Sequence, residues 1–125
     1  MDTGGLILGC LVTPANLQDR AGARLLFHLG YARWPRLSHI WADGNYDGPL
    51  VAEVKSVYGY DLEIVVKPPN QQGFSVQPRR WVVERTFSWL GKCRRLSKDY
   101  EQCPSTERTF IHLAMTGLML RRLAK

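Results

Sequence analysis

The chain has 125 residues, 45% hydrophobic and 22% charged, a balance that suits one folded domain and excludes a disordered chain. No apolar run reaches the roughly 20 residues of a bilayer span, and Met1–Gly5 lacks the basic start of a secretory leader, so a cytoplasmic protein is expected. The net charge of +6 is confined to residues 79–98, where seven Lys or Arg face Glu84 alone, which suits either a polyanion-binding surface or a solvated basic face.

Leu6–Thr13 is a short apolar run ended by Pro14 and predicts a buried strand. Asp19 can cap a helix through Ala21, Leu25, Leu26 and Leu29, with Gly30 just past its end. Leu37–Ala42 predicts a second strand, stopped by Asp43-Gly44-Asn45-Tyr46-Asp47-Gly48. Pro49 then opens a helix over Val51, Val54 and Val57 that Gly59 closes. Asp61–Lys67 predicts a third strand, and residues 68–78 a polar, proline-bounded loop. Two helices follow, Trp81–Ser97 with a stripe of Val83, Phe87 and Leu90, and Thr106–Leu123 with Phe110, Ala114 and Leu118. The order β-α-β-α-β-α-α defines a single α/β domain over 1–125 with a partly parallel sheet. Its first strand has no preceding partner, so N-terminal strands are expected to be absent or supplied by another chain.

Two carboxylates stand out. Asp43 lies at the C-terminal end of its strand, where open α/β sheets place their ligands, although an aspartate before glycine also caps turns. Glu84 shares a helix face with Arg80, Ser88, Gly91 and Arg95, all within roughly 40° at 100° per residue. That face could admit a phosphate backbone, or it could be an i,i+4 ion-pair surface. Carboxylate oxygens beside a cationic helix suit two-metal phosphodiester chemistry with Mg²⁺, which ordinarily needs a third carboxylate. His28, His39 and His112 lack ligand spacing, and Trp81 and Trp89 are expected to pack rather than stack on bases. Cys10, Cys93 and Cys103 form no C-x-x-C pair and indicate neither a disulfide framework nor zinc.

The stretches DTGGLILGCLVTPANLQDRAGA, IWADGNYDG, PRRWVVERTFSWLGKCRRLSKDYE and HLAMTGLMLRRLA resemble the C-terminal half of bacterial DDE transposases of the IS-five-like group. The resemblance implies a truncated ribonuclease-H-like domain that cuts and joins DNA with two Mg²⁺ ions. It places the second aspartate of the triad on Asp43 and the glutamate on Glu84, both as catalytic metal ligands. Arg80 is the arginine four residues before that glutamate, and Lys92 or Arg94 the later basic residue. Arg80, Arg85, Lys92, Arg94 and Arg95 are the expected DNA contacts. The first aspartate of the family lies upstream of the DTGG stretch, and Asp2 does not match it. Element ends and target DNA are the implied partners, with the upstream transposase segment or a second protomer, and no membrane. A non-catalytic DNA-binding remnant is the alternative.

Overall fold

Two parallel strands, four α-helices and three short 3-10 turns make up the computed structural model, which describes residues 1–66 and 78–124. Its backbone falls into two units, Ala15–Ser75, described to residue 66, and Met1–Pro14 with Val76–Lys125, described over 78–124 in its second part.

The first unit contains α1 (Asp19–Gly30), β1 (His39–Ala42), α2 (Pro49–Tyr58) and β2 (Asp61–Ile64). The strands pair in parallel register, His39 with Asp61 through Ala42 with Ile64. One further rung, from the Val65 amide to the Ala42 carbonyl at 2.8 Å, extends the ladder. Alternation sends Ile40, Ala42, Leu62 and Ile64 to one face, where they pack with Phe27, Leu50, Val54 and Tyr60. The opposite face carries His39, Trp41, Asp61 and Glu63, all exposed. Helix α2 starts and stops as its punctuation predicts. Gly48 (φ 100°) and Gly59 (φ 73°) take the positive φ that a side chain resists, and Pro49 occupies the first turn.

Helix α1 differs from expectation in its buried face. Leu25 and Leu29 are 48% and 59% exposed, whereas Phe27 is buried and Ala23 packs beside it. An aromatic ring on the inner face outweighs two leucines on the outer one, because Phe27 also meets the Tyr58 and Tyr60 rings at 6.0 and 6.2 Å. The helix is preceded by Gln18, which makes no side-chain cap, while Asp19 Oδ2 accepts instead from the Asn45 side-chain Nδ2 at 3.2 Å. Gly30 ends the helix inside it, and the reason for glycine is space. A Cβ there would lie 2.0 Å from the Trp34 ring. Gly30→Ala should therefore cost about 1–3 kcal/mol through overpacking, read as a lower midpoint in urea; an unchanged midpoint would show that Trp34 swings away freely.

The second unit contains α3 (Pro78–Gly91), α4 (Pro104–Leu123) and the N-terminal segment. The strand expected over Leu6–Thr13 does not form. A strand needs a neighbouring strand for its amides and carbonyls, and among the described residues the sheet contains β1 and β2 alone. Residues 2–6 close a turn instead, with the Asp2 amide on the Leu6 carbonyl and the Leu6 amide on Asp2 Oδ1, both at 2.8 Å. The third predicted strand is the second observed one and ends at Ile64; Lys67 lies outside the described residues, as does nearly all of the loop expected over 68–78.

Helix α3 also stops earlier than expected, at Gly91 rather than Ser97. Glycine is among the poorest helix formers, and here the Cys93 amide turns back onto the Leu90 carbonyl at 2.9 Å. A 3-10 turn over Arg94–Leu96 follows. The buried line of α3 runs through Thr86, fully buried, and Leu90. Val83 and Phe87 of the expected stripe are 38% and 63% exposed. On α4 the expected stripe of Phe110, Ala114 and Leu118 is half-buried around Met115, which is buried. No helix among the described residues is long and apolar enough to cross a membrane.

Candidate active site and nucleic-acid interface

Asp43 follows the last paired residue of β1 and is exposed. Its Oδ1 accepts the Asn45 amide at 3.0 Å, capping the 3-10 turn over Gly44–Tyr46. Among the described residues its second carboxylate oxygen has no hydrogen-bond partner, so a cation could be met without breaking that cap. The Arg20 guanidinium donates to the Asn45 carbonyl at 3.2 Å, tying the loop to α1. Tyr46 packs against the core beside Asp43. Its phenol pKa is raised, chiefly by burial and then by the Asp19 and Asp43 carboxylates, so at neutral pH it keeps its proton and can act as a donor.

Glu84 projects from the middle of α3 and is likewise exposed, with Oε1 accepting from Arg80 Nε at 3.2 Å. Its other oxygen has no partner among the described residues. Ser88 and Gly91 share this open face, and a Cβ at Gly91 would meet nothing within 4 Å. Arg95 leaves the face because α3 ends before it. It pairs with Glu101 at 2.6 Å and lies 5.1 Å over the Phe110 ring. Arg85 is half-buried, donating to the Gly4 carbonyl at 3.1 Å and stacking 4.9 Å over Trp89. Lys92 and Arg94 are exposed and have no ion-pair partner among the described residues, which leaves their charge available to a ligand.

Thr86 was not legible as important from its type. Its hydroxyl donates to the Gly5 carbonyl at 2.8 Å, sharing that proton with Val82 O at 3.0 Å, and so docks the N-terminal turn on α3. The glycine pair after Asp2 was the available signal, since Gly5 sits at φ 82°. A second unanticipated cluster is Glu63, whose Oε2 holds both His39 Nε2 and Trp41 Nε1 at 2.8 Å on the outer sheet face. Of the histidines, His39 thus has a structural partner and no ligand geometry. Trp89 packs against two arginines as expected of a structural residue, whereas Trp81 is 48% exposed.

Asp43, at a strand end of the parallel α/β unit, and Glu84, on a basic helix face, are thus both exposed carboxylates. The transposase DDE domain family matches residues 1–119, and the chain belongs to that family. It is 28% identical over 119 residues to a transposase ascribed to insertion sequence element IS402 of Burkholderia cepacia, covering 90% of this chain and 56% of that protein. The chain thus spans about half the length of the curated relative it matches. No solved structure matches it.

Proposed function

We propose that this chain is the C-terminal part of the catalytic domain of an insertion-sequence transposase of the IS-five-like group, ribonuclease-H-like in its complete fold. The family match over residues 1–119 carries the reading, and the open settings of Asp43 and Glu84 support it. Both offer hard carboxylate oxygens with one atom uncommitted, the donor type that Mg²⁺ takes. Bound there, a pair of Mg²⁺ ions would stabilise the attacking and leaving oxygens of an in-line displacement. Asp43 and Glu84 would hold the ions, Arg80 would orient the Glu84 carboxylate, and Tyr46 would keep a proton beside Asp43. Lys92 and Arg94 would bind DNA phosphates at element ends and target, with Arg80, Arg85 and Arg95 assisting from their ion pairs and stacks. Phosphate contact of this kind positions the duplex without reading its sequence.

Binding to a random-sequence duplex tests the reading. With two or three phosphates neutralised, affinity should fall about ten- to a hundredfold between roughly 50 and 200 mM salt through counterion release. Replacing Lys92 and Arg94 together by Ala should flatten the dependence, and Arg95→Ala should flatten it less because Glu101 already neutralises that charge. Salt-independent binding, or a slope untouched by the double change, would defeat the assignment.

A further inference from the structure

The side of α3 away from Glu84 brings together Arg85, given above only an assisting role in phosphate binding, and Arg122, which has been given none. Arg85 Cζ lies 4.9 Å and Arg122 Cζ 4.8 Å from the Trp89 ring centroid. Both donate to the same oxygen, the Gly4 carbonyl, Arg85 through Nη2 at 3.1 Å and Arg122 through Nη1 and Nη2 at 3.4 and 3.3 Å. Two like charges therefore share one neutral acceptor and one aromatic ring. Neither has an ion-pair partner among the described residues, and Asp2 Oδ1 at the same turn accepts the Leu6 amide. Arg85 Nε is sealed from solvent without an acceptor among the described residues. Arg121 adds a third charge to the last turn of α4.

Cations at a helix C-terminus complement its dipole, which accounts for Arg121 and Arg122 being basic. It does not account for Arg122 being drawn beside the guanidinium of another helix, where the Asp2 carboxylate near Gly4 is one negative charge for two positive ones and leaves a cation unmatched. We infer that Arg85 and Arg122, stacked on Trp89 and converging on Gly4, form a phosphodiester-binding clamp for the DNA backbone, distinct from the Glu84 face. Stacking fixes each planar guanidinium and leaves N–H groups to meet phosphate oxygens, the geometry that makes arginine a phosphate ligand. Arg85 and Trp89 lie about 100° and 140° around α3 from Glu84, so this contact is a second footprint on the duplex. Arg122 falls beyond the residues matched to the family. The inference rests on the reading that this chain binds DNA.

The test is binding of the 125-residue chain to a random-sequence duplex across salt concentrations, with wild type, Arg122→Gln and Arg122→Lys compared. Losing one phosphate contact should reduce the slope of log affinity against log salt by about 0.9, and Arg122→Lys should recover most of it because the charge is kept. An unchanged slope in Arg122→Gln, alongside a salt-sensitive wild type, overturns the clamp and leaves the DNA reading intact. A wild type that does not bind DNA overturns both. If Arg122→Gln only lowers the melting temperature, the residue is a brace for the helix end and the clamp is wrong. If the change instead dissociates a dimer at constant slope, the missing anion is a carboxylate of a second copy, and the DNA site is likewise overturned.

Discussion

Glu84→Gln should lower Mg²⁺-dependent cleavage of element-end DNA by about a thousandfold or more, while leaving duplex binding within a few-fold of wild type. The amide keeps the shape of the side chain and removes the charge that holds the cation. Stabilisation of the displacement by the ions amounts to several kcal/mol, and about 4 kcal/mol corresponds to that factor. Glu84 is exposed, on a face that α3 does not bury, so the change should leave the fold alone. Cleavage is to be measured with the 125-residue chain together with a polypeptide covering the portion of the longer relative that this chain does not match. By itself the chain should cleave poorly, because two carboxylates are one short of the usual set. Among the described residues no three His, Cys, Asp or Glu side chains gather around one point. Mn²⁺ in place of Mg²⁺ gives a readout other than turnover. Its paramagnetism should broaden amide signals around Asp43 and Glu84 together in the combined preparation, and Glu84→Gln should remove both effects. Vigorous cleavage by Glu84→Gln, or broadening at one carboxylate alone, would mean the two do not share a metal pair.

The largest stability effect is expected at Gly5. Its φ of 82° is one that a side chain adopts only with strain, and a Cβ would lie 2.7 Å from Thr86 Oγ1 and 3.1 Å from the Trp89 ring. Neither neighbour is free to withdraw. The Thr86 hydroxyl is fully buried and bonded to the Gly5 carbonyl, and Trp89 carries both the Arg85 and the Arg122 guanidinium against its ring. Gly5→Ala should therefore cost about 3 kcal/mol, from the left-handed backbone and the clash together. Gly44→Ala is the control, since a Cβ there meets nothing within 4 Å. It should stay within about 0.5 kcal/mol of wild type, as surface changes usually do. Thermal melts of both variants check this, and equal midpoints would show that the N-terminal turn is not docked on α3 in solution.

Local rules carried the sequence reading where the chain is punctuated, and they failed where burial depends on partners. Gly48-Pro49 and Gly59 bound α2 because backbone conformation is a property of those residues themselves. The register of β1 against β2 also follows from alternation, since a one-residue slip would expose Leu62 and Ile64. Which leucines of α1 face inward could not be read, because Phe27 competes for the same core and wins by ring contacts with residues 31 and 33 positions away. Leu6–Thr13 has the composition of a strand, yet composition does not provide the neighbour that a strand requires. At the site, the settings of Asp43 at a strand end and Glu84 on an open helix face were legible from position alone. The diversion of Arg95 to Glu101 was not, since it follows from α3 breaking at Gly91. Thr86 was invisible for a related reason: a threonine two turns into a helix says nothing until the Gly5 carbonyl is beside it.

The parallel ladder has a kinetic consequence. Trp41 and Glu63, directly opposed, are 22 positions apart in sequence, and the α2 crossover separates every other rung equally. No rung can close early by local zippering, as in a hairpin, because each must first bring distant residues together. Helix α2 shortens that search by folding the intervening chain onto Leu62 through Leu50 and Val54. The loop that presents Asp43 is thus ordered late, after helix and sheet have met, and slowed docking of α2 will delay the site more than it delays the helices. Pulse-labelling of amides during refolding should accordingly protect Val54 before Val65, whose amide forms the final rung ahead of that loop.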